Sequence, residues 1–342
     1  MYNVERRIVD MSEIDTQEHS FLAHQGVGDL FSGTYYVESV FIRKTRGGKD
    51  FSDMTLRDRS GSRFVKYWGV VDGFQKGDFV FISAGVEDYM GNSSIVAKNV
   101  EKSDPPSDLS NYIPVYEKND ENEKTFGVVR SKLKELEAAC GDDIASRIVD
   151  GIFGNNIFLK KFLIATGSNR SHYGRVGGLL ANTVRVAKQC MNAVDAYGLT
   201  DMEKIVLMAS SLLFRIGAID AYEFQDCVPV ATTRGTLLGI ENLTMTRISS
   251  ALKRVVAELA ETQKVPNQEM IMQIFHAVSA CSCSSVLPMT KEAILLASMY
   301  RMDSEMVEAI DFIENDPNVS ESFTAYDSAL RRKYYTGCKT LA

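Results

Sequence analysis

The sequence predicts a two-part β + α chain, a small five-stranded barrel followed by an all-helical domain. Two observations carry this prediction. Five short runs of alternating character, cut by glycine turns, fill residues 34–102, and a helical period takes over from about residue 124. Between them, residues 103–123 read SDPPSDLSNYIPVYEKNDENE, rich in Pro, Ser, Asp and Asn, as expected of a linker. Residues 1–33 then form an N-terminal extension and 336–342 a tail. At 342 residues, 45% hydrophobic and 24% charged, the chain is long enough for two cores of about 100–200 residues each.

The barrel begins with YYVESVFIRKT and FSDMTLRD, joined by Arg46-Gly47-Gly48-Lys49, a glycine turn of the kind that closes a hairpin. SRFVKYWGV, DFVFISAGVEDYM and SSIVAKNV follow. They are separated by Asp58-Arg59-Ser60-Gly61, Gln75-Lys76-Gly77 and Met90-Gly91-Asn92. Five strands at this spacing point to an OB-fold, since an Ig-like sandwich needs more. In the second part, FGVVRSKLKELEAA places Phe126, Val129, Leu133 and Leu136 on one helical face. VGGLLANTVRVAKQCMNAV, EKIVLMASSLLFRIGAI, LTMTRISSALKRVVAELA and KEAILLASMYRMDSEMVEAI repeat that period.

A net charge of −7 excludes a polycation that coats nucleic acid or anionic lipid indiscriminately, so any such binding is local. The N-terminal MYNVERRIVDMSEID lacks an apolar core segment, and no stretch approaches the ~20 apolar residues of a membrane span. A cytoplasmic protein with no membrane partner is expected. The six cysteines are scattered through helical patterns, as reduced buried thiols would be. Cys281 and Cys283 make one C-x-C without a second pair, which fits helix packing better than zinc.

The order of parts, with several local motifs, resembles the YhaM family of bacterial 3′-to-5′ exoribonucleases, in which an OB-fold precedes an HD-type metal phosphohydrolase domain. FIRKTRGGKDFSDMTLRDRSG is similar to the family's first hairpin, KGDFVFISAGVEDYMG to its fourth strand and turn, and DLSNYIPV to its linker. HYGRVGGLLANTVRVA is similar to the helix that carries paired histidines and a further ligand histidine, and TLLGIENLTM, KEAILLASMYRMDS and LRRKYY also have counterparts. The resemblance implies self-association, and it implies a metal-ligand set that can be checked position by position.

Few of those ligands are present. The implied histidine pair falls on His172 and Tyr173, the next histidine on Asn182, and the His-Asp pair on Phe214 and Arg215. Ile240 takes the place of a histidine after Leu-Leu-Gly, Cys281 and Ser282 lie near a later pair, and Tyr300 replaces the closing aspartate. His276 is the other survivor. The chain has only four histidines, and His19 and His24 precede the barrel, so a site needing several imidazoles cannot be assembled. The expectation is a pseudoenzyme of the HD type with no metal, no cofactor and no catalytic residue. His172 and His276 then serve as hydrogen-bonded polar residues, while Leu179, Leu180, Leu212, Leu213, Leu237 and Leu238 hold the packing. Substitute chemistry finds little support. Asp220, Glu223 and Asp226 could hold Mg²⁺ but read better as a solvated loop, and Ser210, Ser211, Cys281 and Ser282 have no identifiable base.

The barrel carries a cationic and aromatic set suited to a single strand: Arg43, Lys44, Arg46, Lys49, Phe51, Arg57, Arg63, Lys66, Tyr67 and Trp68. Tyr35, Phe41, Phe64 and Arg59 are interleaved with it, and strand alternation sends about half the aromatics inward. The C-terminal Arg331, Arg332 and Lys333 either extend that surface or cap the last helix. Three readings follow. The first is a non-catalytic single-stranded DNA- or RNA-binding protein whose helical domain is a homo-oligomerisation or partner platform. The second is an interaction scaffold without nucleic acid, and the third is an exonuclease with a relocated or residual metal site.

Overall fold

The computed structural model describes residues 19–45, 47–89, 92–116, 119–169, 173–282, 286–314, 322–324, 326–327 and 330–337. The expected positions Arg46, His172 and Cys283 lie outside them. The chain divides into two units, residues 1–114 with 226–228 and 309–342, and residues 115–225 with 229–308. The first division falls inside the segment expected as a linker. Among the described residues no helix is long and apolar enough to cross a membrane.

In the first unit, β1 (Leu30–Lys44), β2 (Asp50–Asp58), β3 (Gly61–Tyr67), β4 (Phe79–Tyr89) and β5 (Asn92–Ser103) close in the order β1-β2-β3-β5-β4. Strands β3 and β5 are parallel and the other pairs antiparallel. This is the OB-fold barrel. Closure depends on the length of β1: Leu30–Tyr36 pairs with β4, and Tyr36–Lys44 pairs with β2, with a bulge between Val37 and Ser39. The strand therefore starts four residues before the expected Thr34, because exposed Leu30 and Gly33 hide its beginning.

Alternation fills the interior. Along β2, Ser52, Met54, Leu56 and Asp58 are buried while the residues between them face out. Met54 and Leu56 meet Tyr35, Val37, Val65, Val80, Ile82, Val86 and Ile95 in one core. Asp58 is fully buried, and its carboxylate accepts from the Leu22 and Ser60 amides, both at 2.7 Å, fastening the 3₁₀ turn Leu22–His24 to the barrel. The Pro-rich segment after β5 is packed as well. Tyr112 and Ile113 are buried, and the Tyr112 ring lies 5.1 Å from that of Phe79.

The second unit contains α1 (Asn119–Cys140), α2 (Ile144–Phe153), α3 (Asn156–Ile164), α4 (Gly178–Ala193), α5 (Asp201–Leu213), α6 (Ala218–Ala221), α7 (Thr233–Glu261), α8 (Gln268–Ser282) and the larger part of α9 (Lys291–Glu314). Phe126, Val129 and Leu133 of α1 are buried as the period predicts, and Leu136 packs at the edge of the same core. Helix α5 is buried on almost every face, joining that core to a second one around Phe214 and Leu296.

Three features depart from the all-helical expectation. Residues Tyr222–Gln225 (β6) and Val228–Ala231 (β7) form a short hairpin, turned through Asp226 at φ 56°. Its strands are four residues each, too short for a period to be read. Gly239 interrupts α7 at φ 74°, ψ 160°, and just before it Leu237 and Leu238 are 77% and 47% exposed, so they do not belong to the core that holds Leu179, Leu180, Leu212 and Leu213. Finally, α9 stops at Glu314, 17 residues before Arg331, although the Tyr334 ring packs 5.8 Å from Phe312 in its last turn. Arg332 bridges to Asp327 instead.

Candidate nucleic-acid interface

The outward residues of β1, β2 and β3 line up in cross-strand rows. Arg43 stands opposite Phe51, and the Phe51 ring packs 5.4 Å from Trp68, just past β3. Phe41, Asp53 and Lys66 form the next row, and Ser39, Thr55 and Phe64 the third. Rows two residues apart are spaced by about 6.6 Å, so the three span roughly 13 Å. Phe41, Phe64 and Trp68 are 57%, 71% and 62% exposed. Water-facing aromatic rings of that size are costly on a surface with no partner, and they match the flat faces of unstacked bases.

The turn between β1 and β2 borders this face. Thr45 and Lys49 close it through backbone bonds, Gly48 takes φ 78° at its tip, and the Lys44 and Lys49 side chains are exposed. Only a residue without Cβ adopts that backbone readily.

The structure sorts the expected contact set. Arg43, Lys49, Phe51, Lys66 and Trp68 lie on or beside the face, and Lys44 projects near its end. Tyr67 does not join them. It pairs with Ser52 in the inward phase and packs on the barrel core, with its ring where a Gly69 Cβ would fall. Arg63 is likewise in the inward phase, opposite Leu56, and donates to the Ser93 hydroxyl at 2.8 Å. Burial lowers the pKa of its guanidinium. Arg57 faces out but donates to Glu38 at 2.7 Å, and Arg43 lies 3.3 Å from Asp53. The face is therefore less cationic than its arginine count suggests. Its two most exposed aromatics are Phe64 and Trp68, and Phe64, like Phe41, was outside the expected set because sequence alone cannot say which ring of an alternating pair is outermost.

In the helical unit, four of the positions compared with metal ligands lie against α9 and a fifth, Tyr300, lies on it. The Tyr173 hydroxyl donates to Oδ2 of Asp303, and the Asn182 amide donates to the same oxygen at 3.0 Å. Gln189 donates to Oδ1 at 3.5 Å, and the Arg185 Nε lies 3.6 Å from it. Asp303 is 1% exposed, and burial raises its pKa. One turn earlier on α9, the Tyr300 hydroxyl accepts from Arg215, whose other Nη donates to the Gly167 carbonyl at 2.7 Å. The Phe214 ring packs 5.3 Å from Tyr300. Gly178 makes this packing possible, because a Cβ there would strike the Tyr173 carbonyl.

Asp303 was not singled out from the sequence, although it follows Tyr300 by three residues and so shares its helix face. Ile240 and His276 stand elsewhere. Ile240 packs on the main core, and His276 Nε2 accepts from the Met289 amide at 3.0 Å. Of the nominated nucleophiles, Ser210 and Ser211 are buried in α5, and Ser211 donates to the Met208 carbonyl. Asp220 is paired with Arg247 at 2.6 Å. Among the described residues, no three His, Cys, Asp or Glu side chains are grouped as a metal requires.

No protein-family model matches this chain, and no curated protein matches it. Among solved structures, it is similar to the second OB-fold domain of replication protein A from Methanococcus maripaludis, determined by solution NMR. That match has 16% identity, covers 25% of this chain and 94% of that one, and has a TM-score of 0.21.

Proposed function

We propose that this protein is a cytoplasmic, non-catalytic binder of single-stranded nucleic acid, which it holds on the outward face of β1, β2 and β3. The observation that carries this reading is the set of three exposed rings, Phe41, Phe64 and Trp68, interleaved with Arg43 and Lys66. Three rows across about 13 Å suit two or three stacked bases, with the basic β1–β2 turn beside them for phosphates.

In the same reading, the helical unit is a metal-free relative of the HD phosphohydrolase domain, kept as a platform for self-association or partner docking. The convergence of Tyr173, Asn182, Phe214, Arg215 and Tyr300 on one helix supports it, since positions that once shared a metal need to remain neighbours. There an arginine and aromatic rings occupy the space, and the one carboxylate is saturated by the protein's own donors. The exposed stripe Ile294, Met302 and Met306 on the outer side of α9 supports the docking role.

Fluorescence anisotropy with labelled 12-mer DNA and RNA, with Mn²⁺ present and product length read afterwards, tests both halves. Phe64→Ala with Trp68→Ala should weaken binding at least tenfold, because each lost base stack is worth about 1–3 kcal/mol. Unchanged binding by that variant overturns the interface. Stepwise shortening of the oligonucleotide overturns the non-catalytic half, and the preferred strand identifies the substrate class.

A further inference from the structure

Between α2, α3 and α7 lies a cavity of about 320 Å³ whose charges are unbalanced. Arg234, Arg247 and Arg254 line it, with Asp220 as the only carboxylate among its lining residues. Two positive charges are thus left over inside one concavity of a chain whose net charge is −7. Arg247 and Arg254 are seven residues apart on α7, two turns along the same face.

The three guanidinium groups are held to different degrees. Arg247 is fixed: it reaches Asp220 through Nε at 2.8 Å and Nη2 at 2.6 Å, and it lies 4.8 Å over the Phe158 ring. Arg254 donates one bond, to the Gly151 carbonyl at 2.7 Å. Arg234 is exposed and has no hydrogen-bond or ion-pair partner among the described residues. A guanidinium carries five N–H donors, so this cavity offers far more donors than its own walls accept. The start of α3 adds to the field. Asn155 caps that helix by accepting from the Ile157 and Phe158 amides, and both Asn155 and Phe158 line the cavity, so the positive end of the helix faces it.

We infer that this cavity binds a phosphate-bearing small molecule, with Arg234 and Arg254 closing on phosphate oxygens against the fixed Arg247. A carboxylate ligand would bring one charge and two oxygens. A phosphate monoester brings about −1.5 to −2 charges near neutral pH and three terminal oxygens, which matches the surplus of two charges and three forked donors. The volume sits at the lower end of the ~300–1,000 Å³ usual for small-molecule sites. Nothing in this assignment depends on the barrel face.

The test is calorimetric titration of the full chain with inorganic phosphate, with AMP and with adenosine. AMP and inorganic phosphate should bind and adenosine should not, and the ratio of the first two distinguishes a phosphomonoester from the free anion. Arg234→Ala with Arg254→Ala should weaken AMP by about 100-fold, roughly tenfold for each charged donor lost. The unliganded melting temperature should fall by no more than about 3 °C, because both side chains are exposed and only one bond, from Arg254 to the Gly151 carbonyl, is lost. Lysine at both positions should restore part of the affinity, and the barrel variant Phe64→Ala with Trp68→Ala should keep all of it. Equal binding by wild type and the alanine variant, equal binding of adenosine, or no response to either phosphate compound at millimolar concentration would overturn the assignment.

Discussion

The barrel face and the Asp303 cluster put similar side chains to opposite uses. On the barrel, Phe41, Phe64 and Trp68 turn their rings to solvent, and the groups beside them are in shallow ion pairs. Around Asp303, the tyrosine, asparagine, glutamine and arginine all point inward onto one buried carboxylate. An open site leaves binding groups for a ligand to satisfy. A closed one spends them on the fold. Substitutions in the two regions should therefore separate stability from binding.

The largest expected effect is on stability. Asp303→Ala removes the acceptor of Tyr173 and Asn182 in a buried space, stranding two donors at about 1–3 kcal/mol each. Urea denaturation should register a loss of about 3–4 kcal/mol. Asp303→Asn should cost less than about 1 kcal/mol. Its carbonyl can serve Tyr173 and Asn182, and once the Gln189 amide turns over, exchanging its Nε2 for the oxygen that lacks a partner among the described residues, the new amide can donate to that oxygen. If the alanine variant is as stable as wild type, the cluster does not hold the fold.

The same pair of proteins carries a pH prediction. Burial raises the Asp303 pKa above its ordinary 3.8, so between that value and the raised one the folded chain keeps a proton that the unfolded chain has released. Its contribution to stability is therefore fully present below 3.8 and is lost as pH rises through the folded value. Asp78, Asp143, Asp150 and Glu203 have lowered pKa values and act in the opposite sense, losing stability as pH falls. The difference between wild type and Asp303→Asn, followed by urea titration at several pH values, isolates the contribution of Asp303. Wild type should lose stability relative to the variant as pH rises across that window.

On the barrel the ranking reverses. Phe64→Ala should change stability by no more than about 0.5 kcal/mol, because the ring is 71% exposed, yet it should cost about 5- to 100-fold in single-strand affinity. A stability loss as large as that of Asp303→Ala would mean that Phe64 is part of the core and that the contrast is false.

How much of this was legible in the sequence follows from how local each feature is. The β2 alternation and the Phe126, Val129 and Leu133 face were readable because a strand or helix writes its own period. The outward choice among rings was not, because alternation puts Phe64 and Tyr67, three residues apart in one strand, on opposite sides, but only pairing with Thr55 and Ser52 decides which of them faces out. Asp303 was hidden for a related reason: its partners lie 114 to 130 residues away, and no local pattern announces a contact at that range. The β6–β7 hairpin was too short to write a period, and exposed Leu237 and Leu238 imitated a core pair. Of the positions compared with metal ligands, Tyr173, Asn182, Phe214, Arg215 and Tyr300 come together at one helix, whereas Ile240 and His276 lie elsewhere.

The smallest effect sharpens the comparison most, because it concerns the ion pairs that make the open face only weakly basic. Arg43 is 60% exposed yet lies against Asp53, and Arg57 lies against Glu38, so few cations remain for phosphates. With about two or three phosphates neutralised, the slope of log affinity against log salt should be only about −1.4 to −2.1 for a single strand. Asp53→Asn releases Arg43 and should steepen that slope by about 0.7 while raising affinity severalfold at low salt. A wild-type slope beyond about −4 would show that phosphates are bound by a surface other than this one. An Asp53→Asn slope identical to wild type would show that the released arginine never meets the strand, leaving stacking on Phe41, Phe64 and Trp68 to account for the affinity.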